Sequence, residues 1–437
     1  MRGRFFTTSV ALLLGLVLVS QARLSHAQAF GVELHNMLMP ASGGMAGTSI
    51  AQPQDVLSAI HGNPATIAQF EGTQFSFSGG WIEPTLNLAH TGNNVIPGVT
   101  PFSGKSEAEG VAPANIGVTQ DFRALGFPVT AGIGLFSASG AGLSFRDVPE
   151  SNGTTALFQV LQITSGVGLE VTDNLSAGAS IMLGNATLDG PFNGLTGAAT
   201  DYALRGNVGL SYRLGCHTRL GTYYQTEQRF NFDDAVRLQI GTAPITYDLV
   251  ADIDLGLPDN IGFGIANDAL CDGRLLLAVD VLFKQWDNTA LFAPLYDNQW
   301  IFQFGGQYKL NERIRLRAGY AYADNITDPA PSVSAGGVMP PGGEDAIQYV
   351  QALFPAINEH RITFGAGIRD MLPGVDFDLL VGGMFEAEQA YGTFTSTSLE
   401  SYWVSGGFTW RFGRGSCRRL PAPDDWGCAC DSPCGCF

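Results

Sequence analysis

The stretch FGVELHNMLMPASGGMAGTSIAQPQDVLSAIHGNPATIAQF, residues 30–70, decides how this chain folds. It follows neither the alternation of a strand nor, over any long run, the period of a helix. It is nevertheless too apolar for a flexible linker, which is typically rich in Gly and Ser. The segments that come after it read as strands. The sequence therefore predicts that residues 28–72 form a plug inside a barrel made by the rest of the chain.

Beyond the plug, apolar residues recur at every second position in segment after segment. A period of two places alternate side chains on opposite faces of a strand. In one such segment Tyr202, Leu204 and Val208 share a face, and Arg205 and Asn207 share the other. The apolar faces continue almost unbroken, and aromatic residues gather near strand ends, as in transmembrane barrels. A soluble β-sandwich also alternates, and it is the competing interpretation.

The predicted fold is all-β, a transmembrane antiparallel β-barrel of about 14 strands formed by residues 73–412. Short turns, expected in the periplasm, follow the even-numbered strands, and long loops, expected outside, follow the odd-numbered ones. These loops include residues 83–110, 233–246, 325–358 and 389–400. The predicted strands are residues 73–82, 111–122, 128–137, 157–170, 175–188, 199–214, 219–232, 247–267, 274–288, 299–310, 313–324, 359–370, 375–388 and 401–412.

The two ends of the chain differ from the barrel. Arg2 and Arg4 precede a short apolar run, and small residues before Ala27 offer a cleavage site, so residues 1–27 are predicted to be a secretory signal peptide. Cleavage after Ala29 and an uncleaved anchor are the alternatives. Residues 413–437 form a Cys-rich tail, expected in the periplasm, where disulfides are favoured over a bound metal.

Composition excludes some functions. The chain has 23 Lys and Arg against 40 Asp and Glu, a formal charge of −17, which disfavours a nucleic-acid partner. Only 14% of the residues are charged, and this suits a protein whose outer surface does not face water. The sequence contains no nucleophile elbow, metal-ligand spacing or phosphate loop. We therefore expect no enzymatic activity, no cofactor and no metal.

Several motifs resemble the FadL-type outer-membrane transporters of long-chain fatty acids and related hydrophobic compounds. The resemblance runs from residue 30 to residue 412. Its strongest part is Asn63-Pro64-Ala65, which this family carries in its plug. The motifs are SGGMAGTSIA at 42–51, GNPATIAQF at 62–70, LPDNIGFGIAN at 257–267, LLLAVDVLFKQW at 275–286, RLRAGYAY at 315–322 and FPAINEHRITFGAGIR at 354–369.

The resemblance implies a monomeric outer-membrane barrel filled by an N-terminal hatch. It implies that a hydrophobic ligand is captured among the outer loops, passes the hatch and leaves sideways through a gap in the wall. The implied driving force is diffusion down a gradient, without ATP or an energy-coupling partner. Outer-membrane lipids and the barrel assembly machinery are the expected partners. Alternative functions are a general diffusion porin and, with less support, a barrel enzyme or structural scaffold.

Ligand-binding residues are predicted in the plug. The resemblance places Phe30 at the ligand-binding end of the hatch. Met37, Leu38 and Met39 offer apolar contacts that adapt to varied shapes; their alternative role is to fill the interface between plug and barrel. Asn63, Pro64 and Ala65 are expected to form a kink in the hatch, because Pro64 restricts the preceding residue and lacks an N–H.

Arginines facing the lumen are the candidates for binding a carboxylate, since the guanidinium group binds carboxylates with two hydrogen bonds. Arg317 is the first choice, with Arg205 and Arg361 behind it. The alternative is that these arginines pair with acids of the plug and wall, such as Asp55 and Asp280.

Overall fold

The computed structural model describes residues 34–93, 95–96, 98–108, 110–189, 198–242, 245–329, 331 and 343–412. The predicted signal peptide at 1–27, Phe30 and the Cys-rich tail at 413–437 lie outside these ranges and stay predictions.

The wall of the molecule is an antiparallel sheet that closes on itself, because the last strand pairs with the first from Thr73 opposite Phe412 to His90 opposite Thr395. Fourteen strands form this wall, which confirms the predicted barrel. Strand β2 lies on the outer part of β1, and the hairpin of β9 and β10 prolongs β8 and β11. The described strands are β1 (Thr73–His90), β2 (Phe102–Lys105), β3 (Ala114–Asp121), β4 (Val129–Ser144), β5 (Thr155–Glu170), β6 (Leu175–Asp189), β7 (Ala199–Leu214), β8 (Thr218–Gln225), β9 (Gln228–Thr242), β10 (Ile245–Leu257), β11 (Asp259–Leu270), β12 (Leu275–Gln285), β13 (Gln299–Lys309), β14 (Ile314–Ala323), β15 (His360–Leu372), β16 (Val375–Tyr391) and β17 (Thr395–Phe412).

The faces of the strands are arranged as in a membrane barrel and not as in a soluble sandwich. On β7, Tyr202 and Leu204 point outward and are 67% exposed, whereas Arg205 and Asn207 point inward and are buried. The same inversion holds around the wall, where large apolar side chains dominate the outer face. The period of two in the sequence therefore separates an apolar exterior from a polar lining.

Two of the predicted loops are wrong, and a third, residues 83–110, is partly strand, because β1 continues to His90 and β2 lies within it. Residues 233–246 belong largely to the paired strands β9 and β10, and residues 389–400 hold only a tight turn at Gly392 between β16 and β17. The prediction ended each strand where its outward apolar face ended. On β17 this continuation carries the polar outward side chains Ser396, Ser398 and Glu400. Backbone pairing needs no apolar face beyond the hydrocarbon layer.

The plug lies inside the barrel. It contains a 3-10 turn (Gly43–Met45), the short helix α1 (Val56–His61) and a second 3-10 helix (Pro64–Gln69). The chain bends before the last of these, since Asn63 is extended and Pro64 occupies the first turn. Asp55 caps α1 through the backbone N–H of Ser58 at 2.7 Å. A second described helix, α2 (Gly343–Ala352), lies between β14 and β15.

Side chains of the wall hold the plug through its backbone. One carboxylate oxygen of Asp280 accepts hydrogen bonds from the N–H groups of Ser49 (2.6 Å) and Ile50 (2.9 Å). Asn207 donates to the carbonyl of Gly62 at 2.7 Å. Because these groups are buried, each bond satisfies a polar group that would otherwise be costly to bury.

Glycines of the wall allow the plug to come this close. A Cβ added at Gly209 would collide with the side chain of Asn63, and one added at Gly319 would collide with the backbone of Met45 and Ala46. At these positions the missing side chain is a packing requirement.

No helix in the described part of the chain is long and apolar enough to cross a membrane.

Candidate functional site

The outer part of the lumen holds one large apolar cluster, which we call the upper lumen cluster. It joins buried side chains of the wall, the outer loops and the start of the plug. Near the outer end Phe292 stacks on Tyr296 with 5.1 Å between ring centroids, and Trp286 and Phe354 meet Phe292 edge to face. At the inner end the cluster reaches Leu34 and Met37 of the plug. Other members include Leu86, Phe158, Phe230, Phe232, Ala321, Leu353, Leu380, Met384 and Trp403.

Helix α2 closes the outer end of this cluster. Its residues Ile347 and Tyr349 are buried members of the cluster. The Tyr349 hydroxyl lies 2.8 Å from that of Thr154, and burial raises the pKa of the Tyr349 phenol, so the group stays neutral. Gln351 donates to the carbonyls of Leu295 (2.7 Å) and Asp328 (2.9 Å). The helix therefore covers the cluster with its apolar face and is fixed to the neighbouring loops by polar side chains.

The plug residues predicted to contact ligand lie between two apolar regions. Met37 belongs to the upper lumen cluster, and Leu38 packs against it. Met39 belongs to a smaller group, which we call the side cluster. This group consists of Met39, Val56, Leu57, Ala59, Ile60, Ile67 and Phe136, the last of which is on β4. The segment of Met37, Leu38 and Met39 therefore extends from the upper lumen cluster to the side cluster at the inner face of the wall.

Arg317 is buried, but it already has partners. Its Nη1 lies 2.6 Å from Asp378, and its Nε donates to Gln307 at 2.7 Å. Arg369 and Arg411 continue this arrangement with Asp376, at 2.8 and 3.0 Å. We call these five charged residues the lower lumen network. Sequence reasoning missed Asp376 and Asp378, although both occupy lumen positions of an alternating strand and the same period of two could have revealed them.

Arg205 also has partners. Its Nε donates to the carbonyl of Thr226 at 2.5 Å, and its Nη2 donates to the carbonyl of Pro258. Both carbonyls belong to the short links that join β8 to β9 and β10 to β11. Arg205 therefore fastens the places where the hairpin leaves the wall.

Arg361 is different. It is only 1% exposed, and within the described residues no group accepts a hydrogen bond from its Nε or Nη2. It lies opposite Ala321 of β14 and Met384 of β16, both members of the upper lumen cluster. Two residues further along β15, Thr363 accepts a hydrogen bond from the plug at Ala46. Arg361 thus places a guanidinium group beside apolar side chains just outside the plug.

The wall itself is interrupted between β3 and β4. Strand β3 begins at Ala114, whereas β4 continues outward to Ser144. The chain before β3 stays bonded to β1, where Val111 and Ile82 exchange two hydrogen bonds of 2.8 and 2.9 Å. Toward β4, the described residues 110–113 make no backbone hydrogen bond. Further out the gap is closed again, because the N–H of Glu107 donates to the carbonyl of Ser144 at 2.9 Å. We call the gap between residues 110–113 and residues 138–143 of β4 the wall seam.

No cluster of His, Cys, Asp and Glu that could hold a metal ion occurs in the described ranges. The two described cysteines are not paired with each other, because Cys216 is disulfide-bonded whereas Cys271 carries a free, exposed thiol.

Comparison with known proteins agrees with this geometry. The model of the family described as "Outer membrane protein transport protein (OMPP1/FadL/TodX)" matches residues 18–333. No curated protein sequence matched the chain.

Several solved structures share the fold. The Pseudomonas putida toluene transporter TodX is 18% identical, with 88% of this chain and 100% of that chain covered and a TM-score of 0.65. A Pseudomonas aeruginosa FadL homologue is 15% identical, with 89% and 100% covered and a TM-score of 0.64. The Ralstonia pickettii toluene transporter TbuX is 16% identical, with 89% and 99% covered and a TM-score of 0.59.

Proposed function

Because the chain belongs to the family of outer membrane transport proteins that includes FadL and TodX, we propose that it imports long-chain fatty acids by passive movement through its lumen. Family membership places the barrel in the outer membrane and gives it hydrophobic molecules as its general class of cargo. The choice of fatty acid is our own inference and depends on the site.

Arg361 is the observation that carries this choice. A fatty acid needs a water-excluded surface for its tail and a donor for its carboxylate. The upper lumen cluster supplies the first and the buried guanidinium of Arg361 supplies the second. Leaving such a charge without a partner in an apolar site costs several kcal/mol, whereas a charge-assisted bond to a carboxylate offsets that cost. A neutral hydrocarbon offers no such compensation.

The proposed path runs from the outer end of the upper lumen cluster to the plug and then sideways. Met37, Leu38 and Met39 guide the tail from the central lumen toward the side cluster. The wall seam is the proposed exit, because there the sheet has an edge that β3 does not cover. On the inner side of the plug, the charged side chains of the lower lumen network line the lumen. An apolar tail would gain no free energy by moving among these groups.

A monoaromatic hydrocarbon is the second candidate cargo. The aromatic rings at the outer end, Trp286, Phe292, Tyr296 and Phe354, favour it, since aromatic rings prefer the stacked and edge-to-face contacts seen there. A general diffusion porin is disfavoured, because the described lumen holds the plug and the upper lumen cluster where a porin keeps an open polar channel.

Uptake by whole cells separates these candidates. The protein is expressed in a Gram-negative host that lacks its own fatty-acid transporter, and the initial uptake of radiolabelled oleate and of toluene is measured. We expect saturable oleate uptake that unlabelled fatty acid inhibits and excess toluene does not. Saturable uptake of toluene alone would replace the fatty acid by an aromatic hydrocarbon. Steady ion conductance of the purified protein in planar bilayers would favour the porin.

A further inference from the structure

We propose that Phe136 is the gate between the lumen and the wall seam, and that Asn36 positions this gate through His61. The inference rests on the proposed function, since it concerns the route by which the same cargo leaves.

Phe136 occupies the right place for a gate. It is fully buried on the inner face of β4, two residues before the wall seam. The β3–β4 ladder ends at the pair of Ile116 and Leu135, so Phe136 stands where the wall begins to open. Its ring leans over Gly134, where an added Cβ would lie 2.6 Å from the ring. Cargo that moves from the lumen to the seam therefore has to pass this ring.

Asn36 fixes the part of the plug that faces this ring. It is a non-glycine residue with a positive φ of 50°, and it is buried. Its Nδ2 donates to the hydroxyl of Ser49 at 2.8 Å and to the carbonyl of Ser58 at 3.1 Å. Its Oδ1 lies 2.9 Å from Nδ1 of His61. One side chain thus joins the start of the plug to its middle and to both turns of α1.

His61 connects Asn36 to the gate residue Phe136. Its ring packs against the ring of Phe136 with 5.1 Å between centroids and an angle of 49° between planes. Ser49, at the other end of the Asn36 contacts, is bonded through its N–H to Asp280 of the wall. The contacts therefore run from a fixed point on β12, through Asn36 and His61, to Phe136 on β4.

The residues next to Asn36 connect this chain of contacts to the cargo. Met37 lines the upper lumen cluster, and Met39 lies in the side cluster with Phe136. The N–H of Met39 also donates to the carbonyl of Asn36 at 3.1 Å. A tail that enters beside Met37 therefore displaces the segment that holds His61, and the ring of Phe136 loses its support only when cargo is present.

The test is kinetic. Energy transfer from the barrel tryptophans to cis-parinarate, a fluorescent fatty acid, reports occupancy of the purified full-length protein. Removing a gate lowers the barrier for exit and for entry alike. Phe136→Ala should therefore raise the association and dissociation rates of cis-parinarate on the order of tenfold, which corresponds to a barrier lower by about 1.4 kcal/mol. The Kd should stay unchanged. Asn36→Ala should act in the same direction. The double variant should be no faster than Phe136→Ala, because both changes remove one gate.

Phe158→Ala is the matched control, since Phe158 is an equally buried phenylalanine of the upper lumen cluster on β5. It should weaken binding without raising both rates together. Phe136→Leu keeps an apolar side chain and provides a milder variant should Phe136→Ala not fold. Wild-type rates in Phe136→Leu and Asn36→Ala would overturn the gate. Failure of the wild-type protein to bind cis-parinarate saturably would instead overturn the proposed function.

Discussion

Two buried arginines on neighbouring strands show how the two ends of the lumen differ. Arg317 on β14 and Arg361 on β15 both point inward, at 4% and 1% exposure. Arg317 lies in the lower lumen network, where Asp378 and Gln307 bind it. Arg361 lies among apolar side chains, and Nε and Nη2 have no acceptor in the described part of the chain. In the first arrangement the charges compensate each other within the protein, and in the second the guanidinium keeps donors that a ligand can use.

The difference follows from the cost of burying charge. Pairs in the lower lumen network compensate each other, and such pairs contribute little beyond filling a polar interior. An uncompensated guanidinium lowers stability, and proteins retain such groups chiefly at functional sites. We therefore assign structure to the inner end of the lumen and ligand binding to the outer end.

The largest effect is expected in the lower lumen network. Asp378→Ala leaves Arg317 buried without its carboxylate, and breaking a buried pair in this way costs about 3–5 kcal/mol. This loss is measured as the change in the free energy of unfolding in urea. Folded and unfolded protein are distinguished by their mobility in gels when the samples are not boiled. The double variant Arg317→Met with Asp378→Leu removes both charges and should recover most of it. A double variant as unstable as Asp378→Ala would contradict the assignment of this pair to structure.

A smaller effect is expected where the plug meets the wall. Gly319→Ala adds a Cβ against the backbone of Ala46, and overpacking of this kind costs about 1–3 kcal/mol. The displaced plug should also let ions through, measured as conductance in planar bilayers. Gly383→Ala is the control, because its added Cβ would come no closer than 3.7 Å to a neighbour. Equal conductance of the two variants would show that close contact at Gly319 does not hold the plug.

The smallest effect is expected at the outer surface. Arg146 is 46% exposed and pairs with Asp189 at 2.7 Å. Exposed pairs of this type are worth about 0–1 kcal/mol, so Arg146→Gln should change neither the unfolding midpoint nor oleate uptake measurably. A clear loss of uptake would extend the functional region to these outer loops.

The sequence predicted the wall better than the site. Alternation alone was sufficient for the 14 strands and for the inward direction of Arg205, Arg317 and Arg361, because a strand's faces depend only on local sequence. It could not tell which arginine has a partner. Arg317 and Asp378 lie two strands apart, and only the register of β14, β15 and β16 brings them together. The plug was equally hard to predict in detail, because its conformation is set by contacts with the wall and not by a repeating pattern.

The central claim is that Arg361 binds the carboxylate of the cargo. Affinities of the wild-type protein and Arg361→Gln for a long-chain fatty acid and for its methyl ester test it directly, with Arg146→Gln as the control. A charge-assisted hydrogen bond is worth about 1.5–3 kcal/mol, so Arg361→Gln should lose roughly 10- to 100-fold in affinity for the acid and almost none for the ester. Equal losses for acid and ester, or no loss for either, would contradict the assignment.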